Sequence, residues 1–169
     1  FLKKKHKLPA SSNDFTDAER SLDGKLMGKA RKVAQKQMDN YLAGKLGIII
    51  DGTGGSSNAL LAKKKSIEEL GYDTYMIFVD TTLQTALDRN ANRKDRSLLD
   101  KVVERTWQKV QDNLKIYKSA FKSNFIKINT DKDIGDTLPS SVINSVMKFI
   151  KKPVKNKTAL KWIKQAKRL

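Results

Sequence analysis

The 169-residue sequence contains no cysteine and a single histidine, His6. Disulfides, thiolate zinc sites, cysteine nucleophiles and serine-histidine triads therefore have no side chains from which to form. His6 lies in the stretch KKKHK, which is typical of a solvated surface rather than a catalytic site. No apolar run approaches the roughly 18 residues that a membrane span needs. The composition predicts a soluble, intracellular protein with one ordinary globular domain.

Acidic residues are scarce, and their distribution is uneven. The formal net charge is +17, of which residues 1–46 contribute +6, residues 47–147 contribute +2, and residues 148–169 contribute +9 with no acidic residue. A nearly neutral centre with basic ends predicts that attraction to a polyanion such as nucleic acid belongs to the ends. The alternative is a charge surplus that serves only solubility.

Short apolar runs alternate with helical patterns along the middle of the chain. The runs at residues 47–50, 75–80 and 125–131 are predicted to be strands, because they are short and rich in β-branched and aromatic side chains. A long helix is predicted between Thr16, which forms a capping-box pattern with Glu19, and Gly44, which suits a left-handed helix end.

Further helices are predicted after each of these strands. Their expected boundary residues are Ser56, Ser57 or Asn58, then Gly71, Thr81 or Thr82, Ser97, Asp100, Pro139 and Pro153. Strands that alternate with helices favour parallel pairing, so the predicted fold class is an α/β sheet flanked by helices. Ligands of such sheets bind beyond the carboxyl ends of the strands, which is where Asp51 and Asp80 are expected.

The stretch LGIIIDGTGGSSN ends an apolar run on Asp51 and continues into a glycine-rich turn. It is not a Walker phosphate loop, since no lysine and hydroxyl residue follow the required glycine, and Ser57 replaces the third glycine of a dinucleotide fingerprint. A carboxylate at a strand end can hold Mg²⁺ or its water, and free turn amides can bind an anion. The alternative is an aspartate that braces its own turn.

A second candidate group lies in the stretch VDTTLQTALDRNANRKDR. Arg89 and Arg93 are four residues apart, so a helix would place them on one face, and Arg96 follows in a polar break. Arginine forks suit bidentate phosphate contacts, and a mobile flap could close them over a triphosphate. The alternative is a solvated helix face with local acidic partners.

The stretches IIIDGTG, LGYDTYMIFVDTTLQTALDRNANR and DKVVERTWQKVQDN carry a family resemblance. They resemble P-loop kinases of the zeta-toxin and polynucleotide-kinase type, in particular a kinase-like protein of tailed bacteriophages, often of marine bacteria. The resemblance covers residues 1–131. It implies a partial adenylate-kinase-like parallel sheet, a helical lid near residues 93–119, ATP with Mg²⁺, and transfer of the γ-phosphate to a hydroxyl or phosphate acceptor.

On matching positions the resemblance also implies roles for individual residues. Asp51 becomes the catalytic carboxylate near the metal, with Thr53 beside it at the cofactor. Arg89 and Arg93 become phosphate contacts at the cofactor, Arg93 is also a catalytic residue, and Arg96 becomes a catalytic lid residue.

This sequence departs from the family pattern at its start. The Walker loop and first strand of the family would lie upstream of Phe1, so the expected use of ATP and Mg²⁺ depends on that segment, and the chain as given is expected to be inactive. The absent strand would lie between the strands that end at Asp51 and Asp80. Because unpaired buried backbone groups cost about 1 to 3 kcal/mol each, upstream residues or another chain are expected to complete the sheet.

The last segment, KKPVKNKTALKWIKQAKRL, predicts an amphipathic helix capped by Thr158. It could bind nucleic acid, an anionic membrane surface or a partner's groove, or pack through Trp162 and Ile163 onto its own domain.

The predicted organisation is a basic segment and helix at residues 1–46, a kinase-like core at 47–150, and a basic tail at 151–169. The leading hypothesis is a phage-encoded phosphotransferase of the host cytoplasm or virion that acts on a nucleotide, a polynucleotide end or another small acceptor. The alternative is a non-catalytic protein of the same fold that binds nucleic acid or phage proteins.

Overall fold

The computed structural model describes residues 6–9, 14–93, 97–132 and 138–167. The elements in these residues are α1 (Asp17–Ala43), α2 (Ser57–Glu69), β1 (Met76–Asp80), α3 (Leu83–Ala91), α4 (Asp100–Phe121), a 3₁₀ turn (Lys122–Asn124), β2 (Phe125–Asn129), α5 (Ser140–Ile150) and α6 (Lys157–Ala166). The protein is thus α/β, consistent with a kinase-like fold. The chain divides into two compact units, residues 1–53 with 87–103 and residues 54–86 with 104–169.

The first unit contains the long helix α1, which begins with the predicted capping box. The Thr16 side chain accepts from the backbone N–H of Glu19, and the Glu19 carboxylate accepts from the backbone N–H of Thr16 at 2.8 Å. The prediction that Gly44 is left-handed is wrong. Gly44 has φ −76°, and Lys45 takes the left-handed position at φ 56°. The N–H of Leu46 then reaches back to the carbonyl of Tyr41, which closes a Schellman turn.

The strand predicted at residues 47–50 does not form. Residues 46–56 have neither strand nor helix geometry, and Ile49 is 98% exposed. A strand needs a neighbour for its backbone N–H and C=O groups, and among the described residues β1 and β2 pair with each other alone. The apolar pattern of this stretch is therefore present without the pairing partner that would make it a strand.

The second unit contains the other two predicted strands, which are confirmed. Strands β1 and β2 are parallel, in a register that runs from Met76 opposite Phe125 to Asp80 opposite Asn129. Parallel neighbours need a long crossover, and here the crossover contains α3 and α4. The carboxyl ends of both strands consequently lie at the same edge.

The core of this unit forms against the sheet. Phe78 of β1 is 4% exposed, and its ring centroid lies 6.4 Å from that of the fully buried Tyr117 in α4. On β2, Ile128 is buried and α5 packs nearby with its buried Val142. In contrast, Val79 of β1 is 62% exposed. One face of β1 is thus covered at Phe78, whereas Ile77 and Val79 on its other face are exposed.

Helix α6 packs on the turn that connects α2 with β1. Ala159 is 1% exposed, and Trp162 lies with its ring centroid 6.3 Å from that of Tyr72. Gly71 lies so close that a Cβ there would be 2.9 Å from the Ala159 nitrogen. The prediction that Thr158 caps α6 is wrong. The N-cap is Asn156, whose side chain accepts a hydrogen bond from the backbone N–H of Thr158. In the described ranges, no helix has the length and apolarity that crossing a membrane requires.

Candidate functional site

The carboxyl end of β1 contains a bonded aspartate that the resemblance did not assign to the site. Gln111 of α4 donates to Asp80 Oδ1 at 2.8 Å, and Lys127 of β2 donates to Asp80 Oδ2 at 2.9 Å. Burial raises the pKa of Asp80, but the hydrogen bonds from Gln111 and Lys127, with the charge of Lys127, outweigh burial and lower the pKa overall. Both oxygens of Asp80 already have donors, so this carboxylate ties α4 and β2 to the strand end.

A second carboxylate closes the same edge from the other strand. Asp131 Oδ1 accepts from the backbone N–H of Thr82 at 2.6 Å and from the Thr81 hydroxyl at 2.9 Å. These bonds, the Thr82 N–H first, hold the pKa of Asp131 well below its usual range. Trp107 also donates its indole N–H to the Thr81 carbonyl at 2.8 Å. The start of α3 is therefore fixed to both strand ends.

The glycine-rich turn after Asp51 is anchored at Gly54. Gly54 has φ +70°, and its carbonyl accepts from the Tyr117 hydroxyl at 2.7 Å and from the Asn113 amide at 3.1 Å. Ser56 follows as the N-cap of α2, in agreement with one of the predicted capping residues. From Gly54 onward the stretch therefore forms a braced turn and a helix cap.

The predicted site residues before this turn lie on the surface of the first unit. Asp51 and Thr53 are exposed, and neither forms a hydrogen bond or ion pair with another described residue. Their predicted roles at a metal and a phosphate stay predictions.

The arginine segment differs from the predicted helix face. Arg89 lies in the last turn of α3 and is exposed, whereas α3 ends at Ala91 and Arg93 lies beyond it. The Arg93 backbone N–H still bonds to the Asn90 carbonyl at 3.2 Å. The expectation that Arg89 and Arg93 share one helix face is therefore wrong, because the helix stops between them. Arg96 lies outside the described residues.

Asn90 is a buried residue that the sequence analysis missed. Its side-chain amide donates to the Leu98 carbonyl at 2.8 Å, and its carbonyl oxygen accepts from the Leu98 N–H at 2.9 Å. A single side chain thus bridges the two ends of the segment that contains Arg93. Its place in the sequence could have indicated this role. Asn90 continues the apolar spacing of Leu83 and Leu87 on α3, where a buried polar residue needs hydrogen-bond partners.

The predicted site residues Asp51, Thr53, Arg89 and Arg93 all belong to the first unit. No hydrogen bond or ion pair between described residues joins Asp51 to Arg93. Mg²⁺ prefers several oxygen ligands, but the described part of the chain contains no group of three or more candidate ligands. Because Mg²⁺ is usually bound through one or two carboxylates together with water and substrate phosphates, the role of Asp51 at a metal stays a prediction.

The chain is 28% identical over 122 residues to a shikimate kinase of a Sulfurihydrogenibium species, a match that covers 72% of this chain and 66% of the relative. The matched stretch thus spans slightly less than two thirds of that kinase. No protein-family model and no solved structure matches the chain. The similarity supports a kinase-like relationship, of the P-loop type that the sequence resembles.

Proposed function

We propose that this chain forms the larger part of a P-loop kinase-like phosphotransferase. The complete protein would use ATP with Mg²⁺ and phosphorylate a nucleotide, a polynucleotide end or another small acceptor. The observation that carries the proposal is the similarity to a shikimate kinase over 122 residues, which is 72% of this chain. A phage origin, in the host cytoplasm or virion, belongs to the same proposal and is supported by the resemblance of the quoted stretches.

The arginine segment supplies the phosphate contacts in this proposal. Arg89 and Arg93 are exposed, and guanidinium groups can bind phosphate oxygens bidentately. Asn90 is a positioning residue for these arginines, because its two hydrogen bonds to the Leu98 backbone hold the two ends of the arginine segment together. Arg96 would extend the same segment as a lid residue, with Asp51 and Thr53 at the acceptor side.

The chain as given is proposed to be inactive until a phosphate-gripping loop is supplied. The open side of β1 supports this, since Ile77 is 44% exposed and Val79 is 62% exposed on a strand with one described neighbour. A further strand, from upstream residues or another chain, would pair with β1 and cover these side chains. Hydrogen exchange should show the β1 amides at residues 76–80 much better protected in the full-length product than in residues 1–169.

The test of the enzyme is ATP-dependent labelling by the full-length product, with shikimate, a nucleoside and a 5′-hydroxyl oligonucleotide as acceptors. Arg93→Ala should lower kcat by about 100-fold or more, as expected for an arginine that contacts the transferred phosphate. Lys36→Ala, an exposed substitution on α1, is the matched control and should leave kcat unchanged. Asp51→Ala should also lower kcat, and unchanged labelling in both variants would remove the assigned roles.

The alternative is a non-catalytic protein of the same fold that binds nucleic acid or serves as a phage assembly component. It is favoured by the concentration of exposed lysines in and around the last two helices, none of which forms an ion pair with a described carboxylate. The sequence encoded upstream of Phe1 separates the two proposals. A glycine-rich loop with lysine and serine or threonine there favours the enzyme, and labelling that fails with every acceptor despite such a loop favours the alternative.

A further inference from the structure

Eight exposed lysines occupy the last part of the second unit, and we call them the lysine surface. They are Lys148, Lys151, Lys152, Lys155, Lys157, Lys161, Lys164 and Lys167. Residues 138–167 contain no aspartate or glutamate. None of the eight forms an ion pair with a described carboxylate. The charge of this surface is therefore not neutralised from within the described protein.

Half of the lysine surface lies on one short helix, α6, or at Lys167, the residue that caps its end. Lys157 and Lys161 are four residues apart, and Lys164 and Lys167 follow at intervals of three. Like charges at these spacings repel one another on a helix surface. With a rise of about 1.5 Å per residue, the four ammonium groups lie along about 15 Å of helix. A partner with many closely spaced negative charges would relieve this repulsion.

The lysines of α6 are held on a packed helix rather than on a loose tail. The opposite side of the helix is buried through Ala159, and the Trp162 ring packs near Tyr72. Because Ala159 and Trp162 pack within their own unit, Leu160, at 48% exposure, is the one large apolar side chain of α6 that is exposed, and a helix bound to a lipid surface needs a broader apolar side. The contacts thus favour a polyanion that binds by charge alone.

A cleft of about 420 Å³ adjoins the lysine surface and is lined in part by Lys152, Lys155, Asn124 and Phe149, although Asp73 also borders it. Lys152 donates to the Asn124 side chain at 2.9 Å, which fixes its ammonium group at the cleft. Asn124 precedes β2, so this cleft lies at the amino ends of the strands. The lysine surface is therefore separate from the carboxyl edge at Asp80.

We propose that the lysine surface binds the phosphate backbone of nucleic acid. Duplex DNA has one negative charge per about 1.7 Å of its axis, so lysines along one helix can bind several phosphates at the same time. Binding of this kind is independent of base sequence and releases counterions, so it weakens steeply with salt. The proposal does not depend on phosphotransfer, because none of its lysines belongs to the candidate site.

The test compares two variants of equal charge by fluorescence anisotropy with a labelled 20-base-pair duplex between about 50 and 200 mM salt. The first variant carries Lys157→Gln, Lys161→Gln, Lys164→Gln and Lys167→Gln. The control carries Lys36→Gln, Lys109→Gln, Lys115→Gln and Lys118→Gln, which are exposed lysines on α1 and α4. Each variant lowers the formal net charge by the same four units from +17.

The α6 variant should bind about 100-fold more weakly, and its salt slope should fall by about three to four, near 0.9 for each lost contact. The control should change affinity less than about threefold. A version with arginine at the four α6 positions should retain binding, and circular dichroism should confirm that all variants fold. Equal losses in both glutamine variants would overturn the proposal, as would wild-type binding to phosphatidylserine vesicles but not to the duplex.

Discussion

The stretches that end at Asp80 and at Asp51 are similar in composition but differ in structure. The first is a strand whose Phe78 is buried and whose aspartate bonds to Gln111 and Lys127. The second is irregular, with Ile49 and Asp51 exposed. The difference is the partner: β1 has β2 beside it and α4 above it, whereas residues 47–50 have no paired strand among the described residues. An apolar run therefore becomes a strand only when a neighbour satisfies its backbone.

The largest expected effect tests this difference through packing. Phe78→Ala should lower the free energy of unfolding by about 3 to 4 kcal/mol, because it removes a buried ring beside Tyr117. Ile49→Ala should change the free energy of unfolding by less than about 0.5 kcal/mol, since Ile49 is 98% exposed and has little buried surface to lose. Urea denaturation monitored by circular dichroism measures both. A cost above about 1 kcal/mol for Ile49→Ala would mean that residues 47–50 are packed in solution.

The second prediction concerns a segment fixed by one side chain rather than by a neighbouring strand. Asn90→Ala should cost about 2 kcal/mol, because the backbone N–H and C=O of Leu98 lose their partner. Asn92→Ala, at an exposed position two residues later, should cost less than about 0.5 kcal/mol. The same denaturation assay applies, and equal values for the two variants would contradict the positioning role of Asn90.

A smaller effect is expected within the turn that follows Asp51. Gly54→Ala should cost about 1 to 2 kcal/mol, since an alanine at φ +70° is strained. Gly52→Ala should be neutral within about 0.5 kcal/mol, because a Cβ there meets nothing within 4 Å. Thermal unfolding of the two variants would show whether the turn is fixed at Gly54 but tolerates substitution at Gly52. Equal shifts in Tm would contradict that division.

The smallest expected effect is a change in acid sensitivity. The lowered pKa of Asp131 means that its carboxylate stabilises the native state above the ordinary aspartate pKa of about 3.9, and that this contribution is lost as the pH falls below it. Asp131→Ala should therefore be less stable than the wild type at pH 7 and approach it near pH 2. Asp51→Ala, which removes an exposed aspartate, is the control. Urea midpoints between pH 7 and pH 2 provide the measurement, and a constant gap for Asp131→Ala would contradict the assignment.

Local signals in the sequence predicted most of the regular elements. The capping box at Thr16, the strands that end at Asp80 and Asn129, and the helix after Pro139 all depend on residues within a few positions of each other. Such features follow from local propensity and periodicity, which a single sequence displays directly.

The remaining features depend on residues far apart in the chain. Asp131 bonds to Thr81 and Thr82 from about 50 positions away, and Lys127 reaches Asp80 across the sheet. Residues 47–50 show the converse, because their pattern is that of a strand although no described neighbour pairs with them. Periodicity describes what a stretch can bury, but pairing and hydrogen bonding between distant stretches decide what it becomes.

The close approach of α6 to Gly71 makes the position of the last helix dependent on one residue outside it. Gly71 has φ +102°, and even a methyl group there would overlap the Ala159 backbone. Replacement of Gly71 would leave all of the lysines in the sequence yet displace the helix that orders half of them. During evolution, a single substitution at this turn could therefore abolish a charged docking face whose own residues had not changed.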